Sequence, residues 1–123
     1  MTKLALRDRR ILVVEDEYLI ADHMQGALED EGAVVIGPAA SVREALRLLD
    51  AEAHVDGAVL DINLGSEQVF PVADALQRRG IPFIFATGYA AAGIPATWQH
   101  ILRVEKPVQM AMVVAALLAS GPP

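Results

Sequence analysis

Along this chain, short apolar runs alternate with longer stretches in which apolar residues recur every three or four positions. Ile11 to Val14 is the first apolar run, and it predicts a strand. From Glu17 to about Glu31, Ile20, Met24, Ala27 and Leu28 fall on one helical face, and Gly32 closes that helix. Residues 33–37 (AVVIG) predict a second strand. Ser41 with Glu44 three residues on forms a capping box, opening a helix whose Val42, Ala45, Leu46 and Leu49 point inward. Residues 57–61 (GAVLD) are continuously apolar up to a terminal carboxylate, as a strand covered on both faces should be. Pro71 suits a first helical position, so a third helix runs from near Phe70 to Gly80 with Val72 and Leu76 inward. Residues 81–87 (IPFIFAT) predict a fourth strand with Pro82 at its start. In residues 88–100, Gly88, Gly93 and Pro95 leave room for one or two helical turns at most. A fifth strand within 101–107 and a last helix over 108–119 complete the pattern.

Strands alternating with helices in this way predict βα units on a parallel sheet. A chain of 123 residues, 54% hydrophobic, is long enough for one core and short for two, so we expect a single domain with no output domain after the last helix. No cysteine is present, which excludes disulfides, thiolate metal sites and cysteine nucleophiles and fits an intracellular, cytoplasmic setting. Charges interrupt the first apolar stretches, so no secretory signal is read, and the apolar tract from Pro107 onward is too short to cross a bilayer. The net charge of −6 and the scattered basic residues argue against direct nucleic-acid binding.

The candidate chemistry lies at the strand ends. Glu15, Asp16 and Glu17 crowd behind the first strand. Two carboxylates about 4 Å apart repel by roughly 4 kcal/mol at an effective dielectric near 20, so such a cluster calls for protonation, dispersal or a cation. In an open parallel sheet the carboxyl ends of neighbouring strands converge on one crevice. Here those ends carry Glu15 and Asp16, Asp61, Thr87, and Lys106 with Pro107. Taken singly, an acidic pair offsets a helix dipole, a lone Asp forms a turn, and a lone Thr or Lys sits on the surface; Glu17 is read in that way. The conjunction at four strand ends points to one site. His23, His54 and His100 lack ligand spacing, and Trp98 is read as a packing anchor beneath the loop.

This set, in this order, resembles the receiver domain of two-component response regulators over nearly the whole chain. The resemblance implies a flavodoxin-like (CheY-like) α/β three-layer sandwich. Its five parallel strands would run in order 2-1-3-4-5 between flanking helices, with the fourth helix short or disordered. Asp61 would accept a phosphoryl group from a phosphohistidine of a sensor histidine kinase. Mg²⁺, or Mn²⁺, would be held by Asp16, Asp61 and the backbone carbonyl of Asn63, and by Glu15 mainly through water. Thr87, Gly88 and Lys106 would bind the phosphoryl group, and Lys106-Pro107 would be cis. Such a domain is a phosphoacceptor in a phosphorelay, not an enzyme acting on a separate substrate.

One departure concerns the switch. Receivers place Tyr or Phe three residues before the lysine, where this chain has Arg103, and a guanidinium does not enter an apolar slot unpaired. Residues 85–89 (FATGY) resemble the Phe-Ala-Thr-Gly-x-Tyr (FATGUY) receiver subfamily, which lacks that aromatic, so switching is expected through Thr87 and Tyr89. Members are commonly single-domain regulators associated with kinases of the HWE and related histidine kinase families, which implies an HWE-type kinase as a partner. The last helix carries no charge, and its outer face is expected to bind a downstream protein or phosphotransfer target, or to support a weak homodimer. The alternative is a pseudo-receiver, never phosphorylated, that serves as an interaction module. A haloacid-dehalogenase-type phosphatase would need a second Asp where Asn63 stands, and no P-loop or dinucleotide fingerprint occurs.

Overall fold

The computed structural model describes residues 4–88 and 94–120. The elements in chain order are β1 (Arg10–Val14), α1 (Tyr18–Asp30), β2 (Val34–Ala39), α2 (Val42–Ala51), β3 (Gly57–Asp61), β4 (Asn63–Leu64), β5 (Glu67–Gln68), α3 (Phe70–Arg78), β6 (Phe83–Thr87), β7 (Arg103–Glu105) and α4 (Met110–Ser120). Five strands form one sheet in order β2-β1-β3-β6-β7, all pairs parallel. This is the expected 2-1-3-4-5 order once the short antiparallel ribbon β4–β5 is set aside.

The alternation of side chains along each strand divides the apolar residues between two layers. Leu12, Val14, Ala58, Leu60, Phe83 and Phe85 face α2 and α3, where they meet Ala45, Leu49, Val72 and Leu76. Ile11, Val13, Val59, Ile84, Ala86 and Val104 face α1 and α4, against Met24, Leu28, Val113 and Leu117. Every residue of β3 and of β6 is buried, as their unbroken hydrophobicity required.

Local signals account for most element ends. Ser41 Oγ accepts from the Glu44 N–H at 3.1 Å and caps α2. Pro71 lies in the first turn of α3, where its missing N–H breaks no helical bond. Several boundaries differ from expectation, among them α3, which ends at Arg78 rather than Gly80, and β6, which starts at Phe83 rather than at 81. β2 continues two residues beyond 37, through a cis Gly37–Pro38 bond and an irregularity opposite Leu12 to Val14. β7 keeps only three residues of the stretch 101–107, and α4 begins two residues late because the cis Lys106–Pro107 turn comes first. Between β6 and β7 the described residues hold one 3-10 turn, Ala96–Trp98, in place of a full helix.

Trp98 is buried there, stacked on Phe70 with centroids 6.4 Å apart and edge-to-face with Phe83 at 6.0 Å. It is the packing anchor its position suggested. α4 buries Val113 and Leu117 and leaves Met112 and Leu118 exposed. No helix among the described residues is long and apolar enough to cross a membrane.

Candidate functional site

β1, β3 and β6 end side by side, and their last residues bring the acids and the threonine together. Glu15 follows β1 and is 3% exposed; Asp61 closes β3 at 4%; Thr87 closes β6 at 5%. These are the buried polar side chains of the described chain. Asp16 lies at the solvent edge. Carboxylate oxygens of Glu15, Asp16 and Asp61 lie within 4.8 Å of one another, a spacing that fits a hard divalent cation with oxygen ligands.

Lys106, just past β7, reaches into this cluster. Its Nζ lies 3.1 Å from Glu15 Oε1 and 3.2 Å from Asp61 Oδ2, with the side chain 18% exposed. The backbone holds it there, because the Lys106 N–H donates to the Thr87 carbonyl at 2.7 Å. The Glu17 N–H donates to Glu15 Oε2 at 3.1 Å, and the Asn63 N–H points at Asp61 Oδ1 at 3.4 Å. Glu15 Oε1 is fully buried and accepts no well-directed hydrogen bond, despite the nearby ammonium. A buried acceptor left in this state is suited to a further ligand, and a divalent cation beside Asp16 and Asp61 would supply it.

Burial and the Glu15 carboxylate push the Asp61 carboxyl up to about 7, against the opposing pull of Lys106. Burial alone would lower Lys106, but its close polar contacts with Glu15 and Asp61 and their charges outweigh it and raise its pKa. With Asp61 ionised, three carboxylates and one ammonium meet here, an excess of negative charge that a divalent cation would correct.

The chain is matched over residues 11–117 by the response regulator receiver domain model. This chain belongs to the response regulator receiver domain family. The receiver is 39% identical over 82 residues to the phyllosphere-induced regulator PhyR of Methylorubrum extorquens, covering 64% of this chain and 30% of PhyR. It spans about a third of the length of the curated relatives it matches. The solution structure of SdrG from Sphingomonas melonis Fr1 superposes with a TM-score of 0.76 at 38% identity, over 96% of this receiver and 99% of SdrG. A response regulator from Burkholderia pseudomallei, solved with a phosphorylated aspartic acid, calcium ion and citrate, superposes at 0.78 and 26% identity, over 89% of this receiver and 66% of that chain.

Arg103 is exposed on β7, in register with Phe85, so it fills no apolar slot. Gly88 is exposed, and among the described residues nothing lies within 4 Å of a Cβ built on it. Tyr89, the expected substitute ring, lies outside the described residues. Asn63 opens the β4–β5 ribbon, which the sequence reading missed. Two-residue strands carry no period that could announce them.

Proposed function

We propose that this receiver is a single-domain response regulator that takes a phosphoryl group from a sensor histidine kinase onto Asp61. The observation that carries this reading is Lys106 Nζ, 3.1 Å from Glu15 and 3.2 Å from Asp61 on neighbouring strand ends. The P–N bond of the kinase phosphohistidine would break as an Asp61 O–P bond forms. The imidazole nitrogen keeps the bonding pair and takes up a proton. Lys106 offsets charge on the phosphoryl oxygens, and Thr87 donates to one of them afterwards.

The residues fit Mg²⁺, or Mn²⁺, held by Asp16, Asp61 and the Asn63 carbonyl, with Glu15 acting mainly through water. Such an ion would favour the ionised, nucleophilic form of Asp61 and neutralise charge on the transferred group. Glu15 would then lose its repulsion toward Asp61.

The likeness to SdrG supports the single-domain reading, since this chain spans nearly all of that protein, and a second SdrG structure is of its BeF3-activated conformation. The subfamily assignment rests on residues 85–88 (FATG). In the pattern Phe-Ala-Thr-Gly-x-Tyr the tyrosine position falls on Ala90, so Tyr89 is one residue early as a substitute ring. An HWE-type kinase, a cytoplasmic location and a downstream protein docking on α4 belong to the same proposal.

The test is incubation with acetyl phosphate and Mg²⁺ followed by intact-mass measurement. Wild type should gain one phosphoryl group, and Asp61→Asn none. A wild type that stays unmodified would favour the pseudo-receiver, which serves as an interaction module without phosphate.

A further inference from the structure

The ribbon β4–β5 begins two residues after Asp61 and contains Asn63, yet it has little to hold it in place. Each strand has two residues, Asn63 opposite Gln68 and Leu64 opposite Glu67. A two-stranded ribbon of this size is not stable by itself in water. Its turn passes through Gly65 at φ +64°, and a Cβ added there would lie 3.9 Å from Asp16 Oδ2, so the tip rests beside the acidic cluster. Leu64 is buried and ties the ribbon to the core, and the Val69 N–H donates to the Ile62 carbonyl at 2.9 Å where the chain leaves it.

On the polar side there is a further tie. Glu67 Oε1 accepts the Val42 N–H at 2.8 Å. Val42 is the first residue of α2, and its N–H is one of the donors a helix leaves unpaired. Ser41 satisfies a different donor, that of Glu44. Glu67 therefore completes a helix end that the Ser41 cap does not, with a carboxylate at the positive end of the helix dipole. Its carboxylate is directed at the N-terminus of α2.

We propose that Glu67 is a positioning residue for the metal site, clamping the ribbon to α2 so that the Asn63 backbone is held beside Asp61. This rests on the phosphoryl-acceptor reading above. Glu67 touches neither cation nor phosphoryl group; it acts through the backbone of residues 63–67. Loss of the tie should let the ribbon move, and the Asn63 carbonyl with it. The ion would then have one ligand fewer in place when it binds.

The test is Mg²⁺ binding by isothermal titration calorimetry and amide hydrogen exchange in metal-free protein, on wild type, Glu67→Ala, Glu67→Gln and Ser41→Ala. Ser41→Ala weakens the same helix end without touching the ribbon, so it controls for stability alone. Glu67→Ala should weaken Mg²⁺ binding about 10-fold, the low end for a residue that supports a ligand, and speed exchange at Asn63 and Gly65. Glu67→Gln keeps the acceptor oxygen and should restore most of the affinity. Ser41→Ala should leave Mg²⁺ affinity at the wild-type value. Equal affinity in wild type and Glu67→Ala, or an equal loss in Ser41→Ala, overturns this inference alone. A wild type that takes up neither Mg²⁺ nor phosphoryl group overturns the proposed function, and this inference with it.

Discussion

Raising the pH in the absence of divalent cations should destabilise this receiver through Asp61. Its carboxyl is pushed up to about 7 from an ordinary 3.8, burial being the leading cause and Glu15 the second. A group whose pKa is higher in the folded state binds its proton more tightly there. Its stabilisation is complete below pH 4 and is lost as pH rises through about 7. A shift of about three units corresponds to roughly 4 kcal/mol as an upper limit, since each unit is about 1.4 kcal/mol. The conversion is reasonable because the Asp61 side chain is only 5% exposed. The assay is urea unfolding in EDTA at half-unit steps from pH 4 to 8.5, on wild type and Asp61→Asn. Other carboxylates titrate over part of this range, so the informative quantity is the difference between the two proteins. Wild type should lose stability relative to Asp61→Asn between pH 4 and 7.5 and then level off. Saturating Mg²⁺ should flatten the slope. A difference that stays constant across the range, or rises with pH, would refute the argument that burial and Glu15 hold the Asp61 proton.

Mg²⁺ should stabilise wild type by binding only the folded state, by about 2.7 kcal/mol at 100 times Kd, and so raise its melting temperature, a shift that should shrink in Asp61→Asn; identical scanning-calorimetry traces with Mg²⁺ and with EDTA would contradict it. Lys106→Ala leaves Glu15 and Asp61 facing each other. It should cost roughly 2 kcal/mol in metal-free urea unfolding, below the range for fully buried pairs because the lysine is partly exposed. The same substitution should slow phosphoryl uptake from acetyl phosphate by about 100-fold, as loss of one charge-stabilising donor does, read by time-resolved intact mass. Phe85→Ala removes a fully buried ring that packs edge-to-face on Phe70 at 5.9 Å and Phe83 at 5.6 Å. A loss of about 3–5 kcal/mol in urea unfolding is expected.

The sheet was legible because its strands are continuous apolar runs ending in chemistry. Residues 11–14, 57–61 and 81–87 read as strands, and their termini place Glu15, Asp61 and Thr87 in one crevice. The amphipathic helices were equally plain, since Ser41, Pro71 and Gly32 mark ends for local steric and hydrogen-bonding reasons. The reading of β2 stopped at Gly37, whereas the strand continues through Pro38 to Ala39. The ribbon and the Glu67 tie were not legible at all. Residues 63–68 (NLGSEQ) carry no strand period, and the partner of Glu67 is 25 positions away, a distance no local pattern spans.

The only tryptophan in the chain makes the protein its own optical probe. The Trp98 indole lies against Phe83, four residues from Thr87 on the same strand, and against Phe70 at the start of α3. Its emission therefore originates at one known place, beside the first residue of β6. A shift of the phenylalanine rings around it would alter the indole's polarity and quenching. Where the proposed cation uptake, phosphoryl capture or partner docking moves those rings, fluorescence on unlabelled protein reads it, at concentrations far below those that magnetic resonance demands.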